Sequence, residues 1–292
     1  LLYHRGIWII FSHLRNNFSK QDTQQELCKM KDLSKKTAII TGSGTGVGAA
    51  TAKLLASLGC HVVINYSRNE TAAMAVAAAC EQLGAQTLVC KADVANDAEC
   101  RAMVNAAVVR WGHVDILVNN AGTTKFCDHA DLEGLDADDF ARIYGVNVIG
   151  PFQMIRAAAA SMNAQKEGGV VVNVASIAAI TGIGSSVAYA ASKGALVTMT
   201  LSLARALGPK IRINAVCPGF IQGEWLREGL GEEKYEAMKL RNERNAPLGV
   251  TACAETVAEA ILHFISGPQI ITGETLIVDG GAHLNTVPLG RR

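Results

Sequence analysis

From residue 37 onward, short continuous apolar runs alternate with longer stretches in which alanine and other apolar residues recur at helical spacing. The runs predict strands over 37–41, 60–66, 86–90, 114–119, 169–175, 211–216 and 274–279. The stretches between them predict helices over 46–58, 69–83, 96–110, 136–163, 186–208 and 254–266. Val- and Ile-rich runs without polar alternation mean strands buried on both faces, and their alternation with helices means parallel pairing. The predicted fold is α/β: a doubly wound parallel sheet of about seven strands with helices on both faces, forming a single domain over 30–292. One region breaks the rhythm. Residues 219–250 are long, mixed and charged, as expected of a substrate lid outside the carboxyl ends of strands.

Residues 1–29 read differently from the rest, combining Trp8-Ile9-Ile10-Phe11 with basic and polar residues. The apolar core is too short for a secretory signal and no small-x-small cleavage site follows it. The expectation is a poorly ordered upstream extension ahead of Met30, with a mitochondrial location only if the stretch is a true presequence; otherwise the protein is expected in the cytoplasm. The 25 residues 168–192 carry no charge, but Asn173, Ser176, Thr181 and several glycines interrupt them. A strand, a loop and a helix start account for them better than a membrane span.

Composition narrows the partners. A net charge of +1 with 18% charged residues favours neither nucleic acid nor an anionic membrane surface. The eight cysteines are scattered without Cys-x-x-Cys spacing and the seven histidines form no ligand pattern, so no metal is expected. Several cysteines fall in apolar runs and read as small core residues in a reducing compartment.

Thr41-Gly42-Ser43-Gly44-Thr45-Gly46-Val47-Gly48 follows the first predicted strand and opens the first predicted helix. That order suits a phosphate cradle: glycines let the backbone turn tightly, and the helix N-terminus presents free N–H groups to an anion. Two registers fit, Gly42-x-x-x-Gly46-x-Gly48 and Gly44-x-Gly46-x-x-Ala49; the first is preferred because Gly42 directly follows the strand. The fold is therefore read as Rossmann-type, the bland alternative being a flexible glycine turn.

Tyr189 and Lys193 stand four apart in a predicted helix, so both side chains project from one face. A phenol with a pKa near ~10 is a poor acid or base at neutral pH. A neighbouring ammonium is expected to favour the phenolate and lower that value.

With the glycine loop, Asn119-Asn120-Ala121-Gly122, Asn147, Ser176 and Tyr189-x-x-x-Lys193 in this order, the chain resembles the short-chain dehydrogenase/reductase family over about residues 34–284. Ser176 precedes Tyr189 by 13 residues, as the family's catalytic serine does, and Asn147 matches its catalytic asparagine. The resemblance implies that Tyr189 exchanges a proton with the substrate oxygen and that Ser176 hydrogen-bonds the same oxygen. It implies that Lys193 tunes Tyr189 and binds the nicotinamide ribose, and that Asn147 holds a proton-relay water. Taken singly, Ser176 reads better as a loop cap and Asn147 as a turn residue.

The same resemblance places the dinucleotide against Gly42, Ser43, Thr45, Gly46, Val47 and Gly48, with Asp93 and Val94 at the adenine. Asn119, Ala121 and Gly122 would line the cleft, and Asn120 would brace the central sheet. Pro218, Gly219 and Ile221 would pass the nicotinamide, although Gln222-Gly223-Glu224 stands where the family often carries a threonine. An NAD site places an acid about 20 residues beyond the glycine loop. Here Asn65-Tyr66-Ser67-Arg68 stands at that point, and Ser67 with Arg68 would bind a 2′-phosphate. NADP(H) is the expected cofactor, with NAD(H) the alternative.

The expected substrate is a small carbonyl compound or alcohol. Ile183, Gly184, Phe220, Trp225 and Leu226 are candidates for an apolar pocket around the reacting group. Within the family the pattern is most similar to 3-oxoacyl-[acyl-carrier-protein] reductases, through Val63 to Arg68 and Thr272 to Gly281; Lys210 and Arg212 would be candidates to meet an acidic carrier protein. A non-catalytic dinucleotide-binding sensor or scaffold is the alternative of another class. The resemblance also implies a homo-oligomer, a tetramer or dimer, built through the helices predicted over 136–163 and 186–208.

Overall fold

The computed structural model describes residues 32–284; the predicted extension over 1–29 lies outside the described residues. Seven strands form one parallel sheet: β1 (Thr37–Ile40), β2 (His61–Tyr66), β3 (Thr87–Lys91), β4 (Ile116–Asn119), β5 (Gly169–Val174), β6 (Ile211–Pro218) and β7 (Thr275–Val278). Their spatial order is β3-β2-β1-β4-β5-β6-β7. The order reverses between β1 and β4, whose register pairs Ile39 with Leu117. A crevice outside the carboxyl ends of the strands at such a switch point is where open α/β sheets bind ligands.

Alternate strand residues feed two cores, which is why the strands are apolar throughout. Ala38, Ile40, Val62, Ile64, Ile116 and Val118 face α1 (Gly46–Ser57), α2 (Glu70–Gln82) and α10 (Ala254–Ser266). Ile39, Val63, Leu117, Val171 and Ile213 face α3 (Asp97–Trp111), α5 (Gly150–Ala164) and α7 (Val187–Leu207). Helix α7 has the length and apolarity of a membrane span, yet Leu196, Thr200 and Ala204 are buried against the protein.

The helix predicted over 136–163 is three pieces. Asp136 caps α4 (Ala137–Tyr144) through a capping box with Asp139, a π-helical turn follows over Gly145–Ile149, and α5 then begins at Gly150 with Pro151 in its first turn. Gly150 passes so close to Val94 that a Cβ there would stand 2.8 Å from Val94 Cγ2. A π turn inserts one extra residue and re-aims the side chains it carries. Asn147 sits in it. The lid region is helical, with α8 (Glu224–Leu230) and α9 (Glu232–Asn245).

Candidate active site

The glycine loop joins β1 to α1, and its shape is imposed from both sides. Gly42 takes a left-handed φ of +62°, and its N–H donates to Asn65 Oδ1 of β2 at 2.9 Å. The Asn120 amide, just after β4, donates to the carbonyls of Thr41 and Gly42 at 2.9 and 3.1 Å. A Cβ on Gly48 would stand 2.5 Å from both Asn120 Nδ2 and Gly42 O, so only glycine lets the helix approach the loop. Gly46, at φ +53°, has open space where a Cβ would lie. Thr45 is the N-cap of α1 without a side-chain hydrogen bond, and the first turn holds no acid. The N–H groups of Gly46, Val47 and Gly48 therefore lack intrahelical partners, at the positive end of the helix dipole.

Two predicted cofactor contacts are spent on the fold instead. Ser43 is fully buried: its hydroxyl donates to Ile40 O at 2.8 Å and accepts from Asn65 N–H, and its own N–H donates to Asn65 O. Asn119 does not line the cleft; buried in the sheet, it donates to Asn173 Oδ1 at 2.9 Å, and Asn173 donates to Thr200 Oγ1 at 2.9 Å on α7. Asn120 braces the structure as expected, tying the end of β1 and the glycine loop to the end of β4. Asn119 turns into the sheet instead, because successive strand-end side chains point to opposite faces.

The other predicted cofactor residues border the same edge. Ala121 N–H donates to Thr41 Oγ1 at 3.0 Å. A Cβ built on Gly122 would lie 3.6 Å from both Asn147 Oδ1 and Lys193 Nζ, so the bare backbone leaves room beside the two groups. Asp93 is exposed and turns its carboxylate onto Ala95 N–H at 2.9 Å, while Asn96 caps α3. Val94 is buried, and its carbonyl accepts from Gln153 Nε2 at 2.9 Å. Ser67 and Arg68 are exposed at the end of β2; Glu70, the first acid beyond the loop, is engaged by the Tyr66 hydroxyl. Pro218 accepts from Ile177 N–H at 2.8 Å, and Gly219 donates to Val278 O at 2.9 Å. Ile221 forms an isolated parallel bridge with Ala252.

Asn147, Ser176, Tyr189 and Lys193 are brought together at the carboxyl ends of β4 and β5. Ser186 caps α7 by accepting from Tyr189 N–H at 3.3 Å. Tyr189 and Lys193 lie one turn apart, with Lys193 Nζ 5.7 Å from the Tyr189 ring centroid. Lys193 is 4% exposed and donates to Val174 O at 2.8 Å. Asn147 is fully buried; it accepts from Thr123 N–H at 2.8 Å and donates to Thr123 O and Ser192 Oγ, each at 3.0 Å. Ser176 accepts from Ala178 N–H at 3.1 Å, at the start of α6 (Ala178–Thr181), and hydrogen-bonds Tyr189.

The electrostatics correct the simple expectation. Burial pushes the Tyr189 phenol up, with the Ser176 hydrogen bond holding it back. Burial also lowers the Lys193 ammonium from 10.5 to about 8. Desolvation disfavours charge on both groups and is the largest cause at each. Cys217, buried beside both, is pushed up to about 11 by the same cause.

Over this cluster stand two segments. Loop 123–131 docks on loop 182–186 through Thr124 Oγ1 and Ser185 Oγ at 2.7 Å, Cys127 N–H to Ser185 O at 2.9 Å and His129 Nε2 with Gly184 O at 3.2 Å. From the lid, Trp225 lies 6.4 Å from Tyr189 and 5.8 Å from Phe126, centroid to centroid. Ile183 and Trp225 are exposed at the mouth and Gly184 borders the Tyr189 ring, as a pocket requires. Phe220 is not part of it: 9% exposed, it packs under the lid on Tyr235 at 5.5 Å. Lys210 and Arg212 lie at the opposite, amino-terminal end of the sheet, holding the carbonyls of Gln165, Phe264 and Ile271. Sequence reasoning missed Phe126 and Thr123; the run Thr123 to Cys127 carries a lone aromatic in a polar loop, which was the available signal.

Known proteins are similar to this chain over most of its length. A family model described as enoyl-(acyl carrier protein) reductase matches residues 42–283. A protein of the granaticin polyketide synthase in Streptomyces violaceoruber, named for ketoacyl reduction, is 39% identical over 247 residues, covering 85% of this chain and 96% of that protein. An L-rhamnose 1-dehydrogenase (NAD(P)(+)) of a Sphingomonas strain is 37% identical over 259 residues, covering 88% and 99% respectively. The solved structure of a double mutant of a Serratia marcescens short-chain dehydrogenase/reductase superposes with a TM-score of 0.77 at 34% identity, over 86% of this chain and 99% of that one. With this sheet order and these relatives, the chain belongs to the short-chain dehydrogenase/reductase family and is an oxidoreductase of it.

Proposed function

We propose that the chain is an NADP(H)-dependent carbonyl reductase, also competent as a secondary-alcohol dehydrogenase, with Tyr189 as its acid–base group. The observation that carries this reading is the cluster in which half-buried Tyr189 bonds Ser176 and the buried Lys193 ammonium lies 5.7 Å from its ring. The surroundings fit a dinucleotide. Three N–H groups without intrahelical partners at the start of α1, open space at Gly46 and room beside Gly122 next to Lys193 all lie past the carboxyl ends of the central strands β1 and β4. Exposed Arg68, absent from the ion pairs among the described residues, with Ser67 beside it, supports recognition of a 2′-phosphate.

A bound nicotinamide supplies the two-electron donor or acceptor. In reduction, Tyr189 gives its phenolic proton to the carbonyl oxygen; in alcohol oxidation it takes that proton back. Ser176 donates a hydrogen bond to the same oxygen and stabilises the charge developing there. Lys193 binds the cofactor ribose and places positive charge beside a phenol that burial would otherwise hold protonated. The Asn147 side chain is taken by Thr123 and Ser192, so a proton-relay water at this residue would have to use its main chain. A water held there would return protons to Lys193.

The carrier-protein version of the reaction gains no support from Lys210 and Arg212, which stand at the wrong end of the sheet. The same site is read as cytoplasmic, in keeping with free cysteines among the described residues, and as homo-oligomeric, with apolar Phe152 on α5 and Leu201 on α7 exposed. The deciding experiment is a panel of ketones and secondary alcohols assayed with NADPH or NADP⁺ and with NADH or NAD⁺. Turnover that is lost in Tyr189→Phe supports the proposal. Cofactor binding without turnover on any member would instead make the chain a sensor.

A further inference from the structure

The mouth above Tyr189 is an aromatic wall, and its chemistry narrows the substrate. Trp225 reaches down from the lid to within 6.4 Å of the Tyr189 ring, with an interplanar angle of 42°. Phe126 comes from the opposite side, from the loop after β4, and meets Trp225 at 5.8 Å and 50°. Gly229 seats Phe126: the ring fills the space where a Cβ would project, so the lid helix α8 and the loop interlock through this ring. Trp225 is 50% exposed, leaving part of the indole open beside the reacting position. Gly184 adds a flat floor, since a Cβ there would already stand 3.2 Å from Tyr189 Cδ1. Ile183, 72% exposed, extends the apolar rim.

The cations flanking the wall are paired with carboxylates. Arg227 of α8 pairs with Glu232, Glu224 and Glu236 and stacks on Tyr235 at 4.3 Å. Lys125 and Arg142 share Asp139. A substrate bearing phosphate or carboxylate on its lid side would find these cations already neutralised.

On the carbonyl-reductase reading, on which this inference rests, we infer that Phe126 and Trp225 select carbonyl compounds whose reacting carbon belongs to, or adjoins, a planar apolar ring. The carbonyl oxygen must reach Tyr189 and Ser176, so the group bonded to that carbon on the lid side lies along the indole. A flat ring stacks there; a flexible alkyl chain gains less contact and loses more freedom.

The test compares 1-tetralone with the acyclic 2-octanone in wild type, Trp225→Phe and Trp225→Ala, using NADPH. The wild type should favour the ring ketone. The ring-to-chain ratio of kcat/KM should fall about tenfold in Trp225→Ala, the scale of one aromatic contact, and be largely kept in Trp225→Phe. Equal losses for both ketones, or a wild type that favours the chain, would overturn the inference. Phe126→Leu supplies a second variant should Trp225→Ala unsettle the lid, with the same ratio as readout. Binding separates the reductase reading from the aromatic wall. In Tyr189→Phe with NADPH, 1-tetralone should quench tryptophan fluorescence saturably, and adding Trp225→Phe should remove that quenching. Quenching without wild-type turnover would sink the reductase reading and keep the wall; no quenching and no ring preference would sink the wall.

Discussion

Lys193 Nζ, on the second turn of α7, donates to the carbonyl of Val174 at the end of β5, 2.8 Å away, and is only 4% exposed. A cation is thus held in the protein interior by a neutral partner, and burial lowers its pKa to about 8. The fold pays for that placement. The folded chain binds fewer protons than the unfolded one between about pH 8 and the ordinary 10.5, so the cost is complete below pH 8 and fades as pH rises through that window.

Lys193→Met should therefore raise the melting temperature at pH 7 by several degrees, on the order of 5 °C, while abolishing turnover. The thermal gain should shrink on approaching pH 10.5. Melting curves across pH 6 to 11 check this; a gain that is flat with pH would show that charge burial is not its source.

Tyr189→Phe keeps the ring that packs on Trp225 and removes only the hydroxyl bonded to Ser176. The expected result is a drop in kcat of at least about a thousandfold with NADPH affinity changed little, measured by steady-state kinetics beside isothermal titration. Residual activity near the wild-type level would assign the acid–base role elsewhere.

Gly48→Ala forces a methyl to within 2.5 Å of Asn120 Nδ2 and Gly42 O. Neither neighbour is free to retreat, so the variant should lose about 1–3 kcal/mol of stability and bind NADPH at least about tenfold more weakly. Denaturant unfolding and cofactor titration report the two effects separately. Unchanged values for both would mean the loop is not held as described.

Arg68→Ala removes the exposed cation at the end of β2. If Arg68 holds a 2′-phosphate, KM for NADPH should rise about tenfold or more while KM for NADH barely moves, since only one cofactor carries that charge. A parallel rise for both would reject the specificity role.

Much of this architecture was legible in the chain itself. Val62 to Ile64 and Val170 to Val174 are apolar at every position but one, which only a strand buried on both faces requires, and the glycine loop could stand only after a strand. The order of Asn147, Ser176, Tyr189 and Lys193 pointed to one site, and the four do converge. Three things were hidden because they depend on contacts distant in sequence. The break at Gly145–Ile149 stands beside the close approach of Gly150 to Val94, a contact that no helical periodicity reports. The placements of Asn119 and Asn120 turn on which sheet face each meets. The dominance of desolvation at Tyr189 and Lys193 needs the depth of burial, which spacing alone does not convey.

The bridge between Ile221 and Ala252 brings both roots of the lid to one spot, reinforced by Gln222 N–H to Ala252 O at 2.8 Å and Ala252 N–H to Phe220 O at 3.1 Å. Everything between them leaves and returns through a single clasp. Such an excursion behaves as a cassette: its ends are already fixed by the sheet, so swapping its contents adds little closure entropy. On the carbonyl-reductase reading, exchanging this flap between relatives, together with the Phe126 loop it interlocks with, is expected to carry substrate preference with it.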